Sequence, residues 1–250
     1  MPMNMEVKIF YEDENLIVID KPAGLVVHPG AGEHGQTLMD WFLKKYPAAQ
    51  KLNWPDPTRP GIVHRLDKET SGLMVLANNP ESLKKLQDLF QSHKIQKSYL
   101  ALVYGKFEKP LGEIKSLIGR DPNARRQQVS RSIFFDFEPG PKGAPFGGKK
   151  REAKTDYKVL KEYQYGKEIL SLIEANLETG RTHQIRVQFK SLGHPVIGDQ
   201  IYNIKHSRKI SRELGLHRQF LHAYKLSFDR YDFELKLPSE LDNILNSLKK

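Results

Sequence analysis

The densest group of ionisable side chains in the sequence lies in residues 63–72, which read VHRLDKETSG. The segment stands between two apolar runs, residues 61–63 and residues 73–76, which predict two buried strands joined by a charged loop. Such a loop holds ionisable groups at the rim of a core, where a carboxylate such as that of Asp67 can acquire a functional environment. The alternative is an ordinary turn, in which Asp67 or Thr70 accepts hydrogen bonds from backbone donors.

A second polar segment, residues 178–186 (ETGRTHQIR), predicts a turn followed by a helix that Thr182 caps. Arg181 would then stand at the positive end of the helix dipole, where a cation is locally unfavourable and therefore a candidate for function. The alternative is a solvated arginine without a role. A third candidate is Tyr99, which opens a predicted strand over residues 99–104, and packing alone would also explain it.

Several chemistries are excluded or disfavoured by composition. The chain has no cysteine, so thiol catalysis, cysteine metal clusters and disulfides are not available to it. Its nine histidines show no paired ligand spacing of the H-E-x-x-H kind, and no glycine motif for phosphate is found, so neither a metal nor a cofactor is expected. A glycoside or nucleoside hydrolase normally needs two carboxylates, and only Asp67 is well placed.

The elements around these residues predict an α+β fold with a mixed, mainly antiparallel sheet flanked by helices and loops, because strand-like runs dominate and often follow one another directly. Helices are expected after Thr37 and after Asn79, each a good N-cap residue. A length of 250 residues allows one large domain or two closely packed halves, and we expect residues 1–250 to form a single domain. Residues 138–151, rich in Gly, Pro and Lys, predict a flexible basic insertion.

The formal net charge is +10, and it is unevenly distributed. Residues 1–40 contain two Lys and seven Asp or Glu, a balance of 2 − 7 = −5, which leaves +15 for residues 41–250. This excess favours a polyanionic partner such as RNA or DNA. The start of the chain has neither a secretory nor a transit pattern, and no apolar run approaches membrane-spanning length, so we expect a cytoplasmic protein, no membrane partner and a monomer.

Taken together, the motifs resemble those of the RluA-type RNA pseudouridine synthases in kind, order and spacing, over residues 7–237. The matching segments are residues 15–29 (NLIVIDKPAGLVVHP), residues 64–67 with 70–72 (HRLD, TSG), residues 97–99 (KSY), residues 179–187 (TGRTHQIRV) with 193–195 and 198–199, and residues 221–223 (LHA). Gln188 departs from the family pattern, where a histidine is common.

The resemblance implies that Asp67 is the catalytic aspartate, which attacks C1′, attacks the uracil C6 or removes a ribose proton; the sequence leaves these three routes open. Tyr99 is implied to stack on the uracil, and Arg181 to form an ion pair that keeps Asp67 ionised. Arg65 resembles an arginine that fills the gap left by the flipped base. The remaining predicted RNA contacts are His64, Arg125, Arg126, Lys149, Lys150, Arg151, His183 and Arg186.

The substrate is less sharply indicated than the reaction. Residues 25–32 and 61–72 are most similar to members that modify large-subunit ribosomal RNA, and transfer RNA is the alternative. The small RNA-binding module that many relatives carry at the N-terminus is expected to be absent, because strand-like sequence begins at Glu6. From another class, a non-catalytic RNA-binding assembly factor also stays open.

Overall fold

The computed structural model describes residues 6–29, 35–121, 128–132 and 147–248. Its ten strands in this part of the chain are β1 (Lys8–Glu12), β2 (Leu16–Lys21), β3 (Ser71–Ala77), β4 (Gln96–Tyr104), β5 (Leu111–Arg120), β6 (Gln128–Ser132), β7 (Gly147–Tyr165), β8 (Glu168–Leu177), β9 (Leu221–Phe228) and β10 (Tyr231–Glu234). The α-helices there are α1 (Leu38–Lys45), α2 (Pro80–Gln91), α3 (Gln184–Ser191), α4 (Lys205–Glu213) and α5 (Ser239–Ser247), and a 3₁₀ turn covers Pro47–Lys51.

The chain divides into two compact units. The first is Met1–Gln96 with His222–Lys236, and the second is Lys97–Leu221 with Leu237–Lys250. The description of residues 1–250 as one domain stays a prediction.

In the first unit, the strands form a mixed sheet. β1 pairs with β2 and β2 with β3 in antiparallel fashion, β3 runs parallel to β9, and β10 pairs with β9 antiparallel. All seven residues of β3 are buried, as a strand covered on both faces should be. This burial makes β3 a rigid base for the charged loop that precedes it.

In the second unit, every strand pairing is antiparallel: β4 with β8, β8 with β7, β7 with β5, and β5 with β6. A buried cluster that includes Leu102, Leu170, Ile197, Phe220 and Leu241 forms its main core. Together, the two units confirm the predicted α+β class with a mainly antiparallel sheet.

The helix starts read from the sequence are confirmed at two places. The Thr37 hydroxyl accepts a hydrogen bond from the Asp40 amide, and the Asp40 carboxylate accepts from the Thr37 amide, so the two form a capping box at the start of α1. Asn79 caps α2 in the same way through the amide of Ser82, with Pro80 as the first helical residue.

Three expectations about local structure are wrong, each because tertiary contacts override the local pattern. Residues 61–63 form no strand, and only Ile62 makes an isolated bridge to Leu76. Thr182 does not cap α3; the N-cap is His183, in the left-handed conformation with φ 56°. Residues 147–151 of the expected flexible insertion belong to β7, whereas residues 138–146 lie outside the described residues.

Within the described ranges, no helix combines the length and the apolar character needed to cross a bilayer.

Candidate active site

Asp67 lies in the extended loop that leads into β3 in the first unit. Its side chain is half-buried, and its neighbour Leu66 is buried with 5% exposure. The amide of Thr70 donates a 3.1 Å hydrogen bond to the carbonyl of Asp67, which closes a turn before β3 begins. The loop is thus anchored in the core on both sides of Asp67, so the backbone that carries its carboxylate is held in one place.

Lys21, at the end of β2, holds the same loop through hydrogen bonds to backbone carbonyls. Its side chain is fully buried, and its ammonium group donates to the carbonyls of Pro22 at 2.7 Å, Leu25 at 2.9 Å and Lys68 at 3.1 Å. The amide of Gly24 donates to the Lys68 carbonyl as well, at 2.8 Å. Sequence reasoning gave Lys21 no role, although it stands in the first matched motif.

The start of β3 provides the anchor on the other side of Asp67. The hydroxyl of Ser71 and Nδ1 of His222 are 2.9 Å apart, both groups are buried, and the two residues face each other in the parallel β3–β9 ladder. Gly72 adopts φ 117°, and a Cβ there would lie 2.2 Å from the carbonyl oxygen of Ala223. Glycine is therefore required at this position for the strands to meet.

His64 and Arg65, both predicted RNA contacts, have different surroundings. The amide of Val75 donates to Nε2 of His64 at 3.1 Å, and the imidazole stacks on Phe90 with ring centroids 4.5 Å apart. These contacts give His64 a structural role in holding the loop against β3 and α2. Arg65 is exposed, as a residue that reaches RNA must be.

In the second unit, Tyr99 and Lys97 occupy one face of β4, since they are two residues apart on a strand. Tyr99 is 8% exposed and is paired in register with Ala175 of β8. The ammonium group of Lys97 lies beside Gly180, 3.9 Å from the position that a Cβ of Gly180 would take. Lys97 therefore points toward the segment that carries Arg181.

Arg181 is held by β7 and by the first residue of α3. Its Nε donates to the carbonyl of Glu152 at 2.9 Å, and its amide donates to Oε1 of Gln184 at 3.0 Å. Gln184 is buried, accepts a further bond from the hydroxyl of Thr179 at 2.8 Å, and donates to the carbonyl of Lys154 at 2.9 Å. The Gln184 amide thus folds the turn that bears Arg181 onto β7.

The polar contacts of Gln184 continue into the core. Its Nε2 also donates to the hydroxyl of Thr155 at 2.9 Å, and that hydroxyl donates to Oε1 of Gln188 at 2.6 Å. Gln188 is fully buried and donates to Oγ of Ser116 at 3.0 Å. Gln188, the residue that departs from the family pattern, therefore completes a buried network of satisfied hydrogen bonds. Sequence reasoning missed the positioning role of Gln184.

Three cations come together near this turn. Burial and the neighbouring charge of Arg181 lower the pKa of Lys97 to about 8. Burial and the charge of Arg151 lower the pKa of Arg181 from its usual range. Cations that lower one another's pKa in this way create a positive potential, which attracts an anion such as a carboxylate or a phosphate.

The structure assigns Arg186 a role other than the predicted RNA contact. Its Nε and Nη2 donate to the two carboxylate oxygens of Asp199 at 2.7 and 3.0 Å, and the Arg186 side chain is 6% exposed. Asp199 also accepts from the amides of Ile201 and Tyr202. The RNA contact of Arg186 stays a prediction. Its pairing with Asp199, 13 residues away in sequence, leaves only a small part of the side chain exposed.

Four of the other predicted RNA contacts lie within the described residues, and two lie outside them. His183 is half-buried, with Nδ1 3.0 Å from the hydroxyl of Tyr202. Lys149, Lys150 and Arg151 are exposed, but on strand β7 and not in a loop, which corrects the expected flexible insertion. Arg125 and Arg126 lie outside the described residues.

Each unit thus carries its own set of candidate side chains. The first offers a fixed, half-buried carboxylate at Asp67, and the second offers an aromatic ring at Tyr99 with the cations Lys97 and Arg181. The ion pair between Asp67 and Arg181 stays a prediction.

Comparison with known proteins identifies the class. The family described as RNA pseudouridylate synthase matches residues 15–191, so the chain belongs to that family. This confirms the resemblance to the RluA type drawn from the motifs.

Two relatives with similar sequences carry names of this class. An uncharacterized RNA pseudouridine synthase of Aquifex aeolicus is 38% identical over 257 residues, which cover 100% of this chain and 75% of the relative. The "Ribosomal large subunit pseudouridine synthase D" of Neisseria meningitidis serogroup A is 38% identical over 263 residues, which cover 100% of this chain and 63% of the relative. The chain therefore spans less than two thirds of the length of the latter protein.

Solved structures agree with the fold. The structure of human RNA pseudouridylate synthase domain containing 4 matches with a TM-score of 0.73 at 25% identity, over 97% of this chain and 93% of that one. The human domain containing 1 protein matches with a TM-score of 0.70 at 24% identity, over 98% and 95% of the two chains. The latter likeness bears on the fold alone.

Proposed function

We propose that this protein isomerises uridine to pseudouridine in large-subunit ribosomal RNA, with Asp67 as the catalytic carboxylate. The observation that carries the proposal is the 38% identity to the Neisseria meningitidis large-subunit enzyme, which extends over the whole of this chain. The assignment of the substrate follows from the name of that relative, and transfer RNA is the alternative that the experiment below distinguishes.

The proposed reaction breaks the N1–C1′ bond, turns the detached uracil and rejoins it through C5, so the site must hold the free ring throughout. Asp67 starts the reaction by attack on C1′, by attack on C6 or by removal of a ribose proton. All three routes need an ionised carboxylate in a fixed position. The two anchors of its loop, at Lys21 and at Ser71, support the second requirement.

The proposed role of Tyr99 is to stack on the uracil, and that of Arg181 is to stabilise the charge of Asp67. The target base must leave its stack to reach them, at a cost of a few kcal/mol. Arg65 is exposed and is proposed to occupy the gap that the flipped base leaves. Lys149, Lys150 and Arg151 are proposed to contact phosphates, because they are exposed cations on β7. The charge of Arg151 also acts on Arg181.

The experiment that tests the function maps pseudouridine in ribosomal and transfer RNA from cells with and without the gene, complemented by the wild type or by Asp67→Asn. We expect one or more large-subunit positions to disappear on deletion and to return only with the wild type. Asp88→Asn, an exposed carboxylate on α2, is the matched control and should restore them.

Other outcomes each have a meaning. Loss at a transfer-RNA position alone would move the substrate to transfer RNA. Restoration of the pseudouridine sites by Asp67→Asn would remove Asp67 from the mechanism. A deletion that impairs growth but removes no pseudouridine, with growth restored by Asp67→Asn, would favour the assembly-factor alternative. We also propose that the protein acts as a cytoplasmic monomer, which sedimentation of the purified chain and cell fractionation would test.

A further inference from the structure

Helix α4 presents an unusual surface of four cations. Lys205, Arg208, Lys209 and Arg212 are all exposed and follow the i, i+3, i+4, i+7 spacing that places residues on one side of a helix. We call these four residues the basic face of α4. Within the described part of the chain, only Lys209 of the four makes an ion pair, at 3.7 Å from Glu213.

The orientation of this face is set by the opposite side of the helix. Ser207, Ile210 and Ser211 are buried, and at about 100° per residue they point away from the basic face. The hydroxyl of Ser211 accepts from the amide of Gly198 at 2.7 Å and donates to the carbonyl of Ser207 at 2.7 Å. The helix is therefore fastened by its own buried face, and the four cations must face solvent.

This arrangement is unfavourable for the helix itself. Cations at i and i+4, such as Lys205 with Lys209 and Arg208 with Arg212, repel each other. Lys205 also stands in the first turn, where the helix dipole disfavours positive charge, and the turn contains no acidic residue. A solvated helix face normally alternates charges, as α2 does with Glu81, Lys84, Lys85 and Asp88. Glu213 offsets part of the charge of Lys209, and Arg208 donates to Oδ1 of Asn203 at 3.0 and 2.7 Å. The remaining excess of positive charge on α4 favours a polyanionic ligand.

A cleft of about 590 Å³ adjoins the basic face and is lined by Tyr165, Lys167, His206 and Lys209 among others. The cleft also contains two carboxylates: Glu168 accepts from the Tyr104 hydroxyl at 2.6 Å, and Glu213 from the Tyr165 hydroxyl at 3.3 Å. Both stay negatively charged, but the cations of the cleft outnumber them. Nδ1 of His206 lies 2.9 Å from Glu168. Aromatic rings beside cations are the combination that binds single-stranded nucleic acid, since rings stack on bases and cations contact phosphates.

We propose that the basic face of α4 and its adjoining cleft form an RNA-backbone site that holds the substrate through phosphates. The choice of RNA as the polyanion rests on the proposed function. The site reads no sequence, because Lys and Arg on an exposed helix face contact phosphates without reaching base edges. It contributes affinity for the RNA and leaves the chemical step unchanged.

The test compares two matched double variants, Lys205→Gln/Lys209→Gln on α4 and Lys84→Gln/Lys85→Gln on α2. Both remove two exposed lysines from a helix; each of the two on α2 has an acidic neighbour at i±4, whereas on α4 only Lys209 has one, Glu213. Affinity for an in vitro transcript of large-subunit ribosomal RNA is measured across a range of salt concentrations. For the α4 variant we expect weaker binding and a salt dependence shallower by about 0.7 for each phosphate that the protein no longer neutralises. The α2 variant should behave as the wild type.

Two further measurements make the result decisive. The quadruple variant, with Arg208→Gln and Arg212→Gln added, should reduce the salt dependence further while the single-turnover rate at saturating RNA stays at the wild-type value. Equal salt dependence in the wild type and both α4 variants, with thermal melts showing all of them folded, would overturn the proposal. Binding to anionic phosphatidylserine vesicles that the α4 variants lose, with RNA binding intact, would assign the face to a membrane instead.

The binding assay needs no turnover, so it separates this inference from the proposed function. A wild-type protein that makes no pseudouridine but shows the α4-dependent salt effect would refute the function and leave the RNA site standing.

Discussion

The ammonium nitrogen of Lys21 lies 3.1 Å from the carbonyl oxygen of Lys68, the residue that follows Asp67. The two residues are 47 positions apart in sequence, and Lys21 is fully buried. A buried lysine is costly unless its charge is compensated, and here backbone carbonyls provide that compensation. The hydrogen bond from Lys21 to Lys68 also fixes the backbone of the loop that carries the proposed catalytic carboxylate.

The first prediction concerns this bond. Lys21→Met keeps the apolar stem but leaves buried carbonyls without their donor, so we expect a loss of stability of about 1–3 kcal/mol. We also expect the single-turnover rate to fall by about 10- to 100-fold, because Asp67 loses its fixed position. Lys8→Met, which changes an exposed lysine on β1, is the control. Denaturant unfolding and single-turnover assays measure both effects; a wild-type rate in a folded Lys21→Met protein would refute the positioning role.

The second prediction concerns Gln184, which holds the turn bearing Arg181. Gln184→Leu removes the acceptor of the Arg181 amide and the donor to the Lys154 carbonyl. We expect it to destabilise the fold by about 2 kcal/mol and to slow the chemical step by about 10-fold or more. RNA affinity should change little, because no cation is removed. Gln200→Leu, which alters an exposed amide, should leave the rate and the stability unchanged.

The third prediction tests the reassignment of Arg186. Asp199→Ala leaves a buried guanidinium without its partner, so we expect a loss of about 3–5 kcal/mol in the free energy of unfolding. The double variant Arg186→Met/Asp199→Leu should recover the part of that loss that comes from the unpaired guanidinium. The part that comes from the amides of Ile201 and Tyr202, which lose their acceptor, should remain. The salt dependence of RNA binding by the double variant should equal that of the wild type. A shallower dependence would return Arg186 to the RNA contacts.

The fourth prediction concerns pH. The pKa of Lys97 is lowered from 10.5 to about 8 in the folded protein, so the unfolded chain holds this proton more tightly. The charge on Lys97 therefore destabilises the fold below about pH 8, and this cost disappears as the pH rises from about 8 to 10.5. Lys97→Met should be more stable than the wild type at pH 7, by at most about 3 kcal/mol.

The advantage of Lys97→Met should shrink toward zero near pH 10.5, which urea unfolding at several pH values would measure. Lys94→Met, at an exposed lysine, provides the control and should show no such trend. A constant difference between Lys97→Met and the wild type at every pH would contradict the lowered pKa.

The sequence by itself determined the family, the fold class and the local helix starts. Capping at Thr37 and Asn79 is decided by residues three positions apart, and such local signals can be read directly from a sequence. The charged loop around Asp67 was also visible in the sequence, because the apolar run after it forms the buried strand β3, but the role of Asp67 stays a prediction. The assignment of its chemistry came from the ordered motifs and not from any single residue.

Only the tertiary structure decided which polar residues are buried and paired inside the protein and which are left at least partly exposed. Arg181 and Arg186 are both arginines of one motif, yet Arg186 is closed in a buried pair with Asp199, whereas Arg181 borders other cations. Lys21 and Gln184 likewise gained their roles from partners on distant segments. The physical reason is that burial and hydrogen bonding depend on which segments the fold brings into contact, and local sequence patterns do not contain that information.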